Sequence, residues 1–198
     1  AKDSGGNFSK SPLKPKRLLE NFEAEGLIKH FEIVEDFTPY TNKDFKIAHN
    51  KQYVNSFFSG QKGCESNGLD WSTQFADSVR YTNASLHAAI KGSILEPEQV
   101  HFSPTSGFHH ARPTGGSGFC TFSGQVIASI KILEEFGISG AYLDLDGHFG
   151  NSIEDSRDFV KDLNRAIPKE FNINMDMRAS GAPAYGVRER RRHTSHFV

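Results

Sequence analysis

Two short runs of the chain hold side chains able to do chemistry together. His109 and His110 stand side by side in Gly107-Phe108-His-His-Ala111, and Asp144-Leu-Asp146-Gly-His148 leads into Phe149-Gly150-Asn151. Asp146 and His148 are a dipeptide step apart, so in extended chain both side chains leave on the same side. A carboxylate and an imidazole on one side make two legs of a catalytic zinc site, which takes three protein ligands and keeps a position open. Asp144 shares that side one step deeper, where a charge needs a cation or a histidine donor as partner. Imidazoles titrate near neutrality, which suits His109 and His110 to carry a proton from an activated water to a leaving amine. The acidic run makes a poor calcium loop, because an EF-hand wants an oxygen ligand where His148 stands and Gly where Phe149 stands.

Elements able to position these residues can be read around them. Val100 and Phe102 suggest a strand ending before the tandem histidines, with a loop through Gly107, Gly115, Gly116 and Gly118 after it. Ser123 can cap a helix whose Val126, Ile127, Ile130, Leu133 and Phe136 form one apolar stripe, ended by Gly137. Ala141 to Leu145 is a short apolar run of the buried parallel-strand kind, and Ser152-Ile-Glu-Asp155 opens a second helix reaching about Ala166. Helix, strand, helix at these lengths predicts an α/β sheet with crossovers, whose ligands bind at the carboxyl ends of strands. If the strands at 100–102 and 141–145 are parallel neighbours, both polar runs meet on one rim. Earlier in the chain, residues 1–16 read as a loop, Leu18 to Glu25 as a helix stopped by Gly26, and Phe31 to Val34 as a short strand. Asp44 to Phe58 has no clear period, and Asn83 to Gly92 reads as a helix with Asn83 as its cap.

Composition narrows the class. At 198 residues and 22.0 kDa, with 36% hydrophobic and 12% aromatic content, the chain can bury a core without staples. No apolar run reaches the roughly 20 residues of a bilayer span, and no secretory leader is read at the start. Cys64 and Cys120 are too few for a disulfide framework, so a membrane protein, a disulfide miniprotein and a collagenous chain are excluded, and an intracellular protein, cytoplasmic or nuclear, is expected. The net charge of -1 gives no reason to expect nucleic acid as a partner. It divides as +4 over residues 178–198 (five Arg, one Glu) and -5 over residues 1–177, so the last stretch reads as a loose basic tail after one domain.

The stretch Ser103-Pro-Thr-Ser-Gly-Phe-His-His-Ala-Arg-Pro113, then Ser117-Gly-Phe-Cys-Thr-Phe122, then Tyr142-Leu-Asp-Leu-Asp-Gly-His-Phe-Gly-Asn151 resembles the zinc-dependent histone deacetylase family, which includes acetoin-utilisation and acetylpolyamine deacetylases. Weaker similarity covers Lys14-Pro-Lys-Arg17 and Ala48-His49 to Tyr53-Val54, and it fades after about Asp158. The resemblance implies a three-layer arginase/deacetylase-like α/β fold with a central, mainly parallel sheet flanked by helices. It implies Zn2+ on Asp146 and His148, a catalytic pair in His109 and His110, and Asp144 both pairing with His109 and helping to bind a structural K+. It implies Asn151 behind His110, a substrate channel lined by Gly107, Phe108, Gly118 and Phe119, and Arg17 at an internal cavity. The substrate it implies is an acetylated lysine side chain or an acetylated polyamine, hydrolysed to acetate and free amine.

Four departures set further expectations. Phe149 stands where the family often has a second His, and Ser152 where Gly is usual. Asn151 replaces a frequent Asp, and a neutral amide supports an imidazolium less well, leaving His110 less basic. The family's third zinc ligand and its transition-state Tyr come from later segments with no clear match; Asp176 and Tyr185 are the nearest in type and lack the family context. A C-terminally incomplete domain is therefore expected, with an open sheet edge that a second copy or another chain covers. Such a domain is either a deacetylase or an incomplete or inactive deacetylase-like domain, serving as a binding module or as a non-functional fragment.

Overall fold

The structure is a computed structural model and describes residues 10–61 and 67–174. Cys64, Asp176, Tyr185 and the basic tail lie outside the described residues. Helix α1 spans Lys14–Ala24, four residues ahead of the expected start, because Pro15 is pre-set for the first helical turn. Residues 31–34 form no strand: Ile33 and Val34 are exposed, and Phe31 stacks on Phe22 at 5.2 Å instead. The stretch without a clear period resolves into two helices. Helix α2 (Asn42–Phe45) opens on a Thr41/Asp44 capping box, and α3 (Lys51–Ser59) opens on Asn50, whose Oδ1 accepts from the Tyr53 amide at 2.7 Å.

Helix α4 (Thr73–Leu95) is 23 residues long and capped by Ser72, so Asn83 is a buried mid-helix residue and not the expected cap. Its buried Ala76, Val79, Asn83 and Ala84 face α5 (Gly124–Phe136), which follows the expected stripe and ends at Gly137. Under these helices lies an aromatic cluster centred on Phe122. Phe45, His49, Tyr53, Phe57 and Phe58 all have ring centroids within 5.5 Å of it.

The expected strand pair takes another form. Strand β1 (Tyr142–Leu143) is parallel to β2 (Asn172–Ile173), in register Tyr142 with Asn172 and Leu143 with Ile173. Residues 100–102 are unpaired among the described residues, and Val100 is almost fully exposed. Alternation along β1 turns Tyr142 and Asp144 inward, while Leu143 and Leu145 are 64% and 79% exposed, so this strand is open on one face and not buried on both. The second expected helix is broken into α6 (Ser152–Ser156) and α7 (Leu163–Ala166), because Asp162 sits at φ +60°. Arg157 spans the break, holding both Glu154 carboxylate oxygens at 2.9 Å and the Ile167 carbonyl at 2.8 Å. No helix among the described residues is long and apolar enough to cross a membrane.

Candidate active site

The loop from Gly107 to Phe122 is tied down before it reaches any chemistry. His49 is 1% exposed; its Nδ1–H donates to the Arg112 carbonyl at 2.8 Å and its Nε2 accepts from the Ser123 amide at 2.8 Å. Those two partners fix it as a neutral imidazole, and burial drives its pKa down to about 3. The Asn50 amide donates to the Pro113 carbonyl at 2.8 Å and the Tyr53 hydroxyl to the Thr121 carbonyl at 2.7 Å. The start of α3 thus grips both ends of the loop. Ser123 and Ser152 join through their hydroxyls, and the Ser152 amide donates to the His109 carbonyl at 2.8 Å.

On that frame the two histidines each find an acceptor. His109 Nδ1 lies 2.8 Å from Asp144 Oδ2, with both side chains largely buried, and His110 Nδ1 lies 2.9 Å from Asn151 Oδ1. The rings sit 4.1 Å apart, and His148 stands 6.1 Å from His110. Two glycines are required for this approach. A Cβ on Gly150 would stand 2.3 Å from Asp144 Oδ2, and one on Gly118, at φ +51°, would stand 2.5 Å from His110 Cδ2. Burial is the main influence holding His110 below the usual imidazole range; the Asn151 hydrogen bond works against it, and the neighbouring His109 and His148 reinforce it. The lowering comes from desolvation, not from Asn151, whose hydrogen bond raises the pKa.

Asp146 and His148 converge at the exposed rim. Asp146 Oδ1 accepts from the His148 amide at 2.8 Å and lies 2.9 Å from His148 Nδ1, while His109 Nε2 is 3.9 Å from the same oxygen. Burial pushes the Asp146 carboxyl up, but the two His148 hydrogen bonds and the electrostatic influence of the nearby His109 and His148 rings together hold it below the usual carboxylate range. A tetrahedral zinc with donors at about 2.1 Å separates two ligand atoms by roughly 3.4 Å, so the Oδ1 and Nδ1 atoms need part by about half an ångström to admit one. The donor chemistry suits such an ion. No group of three or more His, Cys, Asp or Glu able to hold a metal occurs among the described residues, and Asp146 and His148 supply two donors. Asp144, expected also at a potassium ion, spends Oδ2 on His109 and Oδ1 on the Asp146 amide.

A cavity of about 450 Å³ lies behind the loop, lined by Phe37, Phe75, Phe108, Phe119 and Phe122 among others, with Gly107 at its wall. Three of the four expected channel residues, Gly107, Phe108 and Phe119, line it, while Gly118 packs on His110. The histidines are not among its lining side chains, and Arg17, expected at an internal cavity, is exposed on α1 and does not line this one. Cys120 is buried within the loop, and desolvation pushes its thiol up to about 11, so it is an inert packing group.

Three residues escape a reading by motif. Asp155 accepts from Asn151 Nδ2 at 2.6 Å, Arg112 Nε lies 3.6 Å from that same Asp155 oxygen, and Asn174 clamps Gly150 through its amide and carbonyl at 3.0 and 2.6 Å. The four-residue step from Asn151 to Asp155, at the start of a helix, was the one available signal.

Helices packed about a parallel strand pair thus present two backed imidazoles beside an Asp–His edge. Residues 9–163 match the histone deacetylase domain model, and the chain belongs to that family. It is similar to Histone deacetylase 14, chloroplastic, of Arabidopsis thaliana, at 27% identity over 73% of this chain and 37% of that one. It is also similar to Histone deacetylase 8 of Xenopus tropicalis, at 25% identity over 77% of this chain and 44% of that one. The crystal structure of the HDA15 HD domain matches at a TM-score of 0.64 and 12% identity, over 78% of this chain and 43% of that chain, and shows the shared fold. The chain therefore spans less than half the length of these relatives.

Proposed function

We propose that this chain carries the histidine half of a metal-dependent amidohydrolase site that removes acetyl from acetyl-lysine or a related acetylated amine. The observation that supports it most is the pair of backed imidazoles, His109 on Asp144 and His110 on Asn151, beside the Asp146–His148 edge. Asp146 and His148 would hold the ion, and a zinc bound there would supply Lewis-acid polarisation of the acyl carbonyl. His110, neutral at physiological pH and carrying its hydrogen on Nδ1, has the Nε2 lone pair free to take a proton from water and return it to the leaving amine. The Asp144 carboxylate accepts from His109 Nδ1 and holds that ring beside His110.

A second reading, an inactive deacetylase-like domain that binds acetylated partners or another chain, draws on the two-donor metal edge and the open face at Leu143 and Leu145. Metal analysis of the purified chain combined with a fluorogenic acetyl-lysine assay separates the two. The deacetylase reading expects one zinc per chain, lost in Asp146→Asn, and turnover that His110→Ala abolishes while zinc stays. Absence of both zinc and turnover overturns it and leaves the incomplete, inactive domain.

A further inference from the structure

Asn151 presents an amide to His110 where a carboxylate would have dictated the proton's position by itself. An amide has an accepting end and a donating end, and its direction decides which His110 nitrogen carries the hydrogen. We propose that Asp155, seated against Arg112, is a positioning residue that sets the tautomer of His110. This rests on the reading of His110 as the proton-transfer group.

The chain of contacts admits one polarity. A carboxylate only accepts, so the Asn151 NH2 end must face Asp155 Oδ2, as it does at 2.6 Å. The carbonyl end then faces His110 Nδ1 at 2.9 Å, and since an amide oxygen also only accepts, the hydrogen must sit on Nδ1. His110 Nε2 is left with its lone pair. Reversing Asn151 would place NH2 against Nδ1, move the hydrogen to Nε2, and leave nothing there to take a proton.

Three features hold the arrangement. The Asp155 amide donates to the Asn151 carbonyl at 2.9 Å, which fixes the two side chains one helical turn apart. The Arg112 Nε lies 3.6 Å from Asp155 Oδ2 and balances its charge. Arg112 also stands two residues after His110 on the loop, its carbonyl held by His49, so the circuit closes on the segment it orients. The anionic acceptor missing at position 151 is thus present one link farther along.

Long-range proton–nitrogen NMR of the nitrogen-15-labelled full chain, without metal or substrate, reads the tautomer of each ring. His110 is expected almost wholly as the Nδ1–H form. In Asp155→Asn, where position 155 can donate as well as accept, the Nδ1–H fraction is expected to fall to about half, since the directing preference of one hydrogen bond is gone. In an Asn151→Asp background the carboxylate faces His110 directly, and adding Asp155→Asn is expected to change nothing, a coupling that a purely structural role would not give. The His49 ring, fixed by Arg112 and Ser123, reports folding in the same spectrum; if Asp155→Asn disturbs it, Asp155→Ser replaces that variant with the same two outcomes. Undiminished Nδ1–H in the position-155 variant, or an equal loss in both backgrounds, overturns the proposal. Because the readout needs no turnover, an inactive chain would overturn the deacetylase reading and leave this result standing.

Discussion

Replacing His49 by Gln should make the protein less stable at neutral pH yet flatten its response to acid. The ring is 1% exposed, keeps two hydrogen bonds as a neutral group, and has a pKa of about 3 in the folded chain. In the unfolded chain an imidazole titrates near 6.5. The folded pKa is the lower of the two, so below about pH 6.5 the unfolded state binds a proton that the native state refuses. Stability from this group is complete above that pH and falls by about 1.4 kcal/mol per pH unit until about pH 3. Between about pH 6.5 and 4 the loss is roughly 3 kcal/mol, a large part of the stability of an ordinary domain. Gln offers one amide donor for the Arg112 carbonyl and one acceptor for the Ser123 amide, with no proton to bind. It should cost about 1–2 kcal/mol near neutrality through imperfect geometry. Urea unfolding of both proteins at several pH values gives the slopes, and the difference between them isolates His49 from the carboxylates. Parallel curves would sink the reasoning.

Gly118→Ala should destabilise by about 2–5 kcal/mol, from left-handed backbone strain plus overpacking on the His110 ring, and should shift the His110 ring resonances. Gly137→Ala, at φ +69° with open space around it, should cost only about 1–2 kcal/mol, and equal urea midpoints for the two variants would contradict the close contact. Phe122→Ala removes the ring at the centre of the aromatic cluster and should cost about 3–5 kcal/mol by chemical denaturation; a loss under about 1 kcal/mol would mean the cluster is not packed as described.

What could be read from the chain alone follows from how local each signal is. Helix α5 carries its stripe, its start and its Gly137 stop within fifteen residues, so it was legible. The convergence of His109 and His110 with Asp144 and Asn151 was legible from residue type and resemblance. Asp162 was not, because nothing in Leu163-Asn-Arg-Ala166 announces a left-handed residue before it; the turn is fixed from a distance by Arg157 reaching Ile167. Strand β2 was illegible for a similar reason, as Asn172 and Ile173 become a strand only by pairing with residues thirty positions earlier. Val100 and Phe102 show the reverse case, apolar alternation without a partner strand among the described residues. Asp155 was hidden because its role passes through Asn151 and it touches neither histidine.

The tandem histidines also staple the segment between their acceptors. Asp144 is bound to His109, Asn151 to His110, and a single peptide bond joins the two rings' residues, so the eight residues from Asp144 to Asn151 complete a closed circuit through the loop. A cation held between Asp146 and His148, as proposed above, would therefore meet a loop whose ends are already anchored. On the proposed metal reading, most of the conformational freedom that ion binding usually removes would already have been removed by the fold, which would raise the affinity that a two-donor edge can reach.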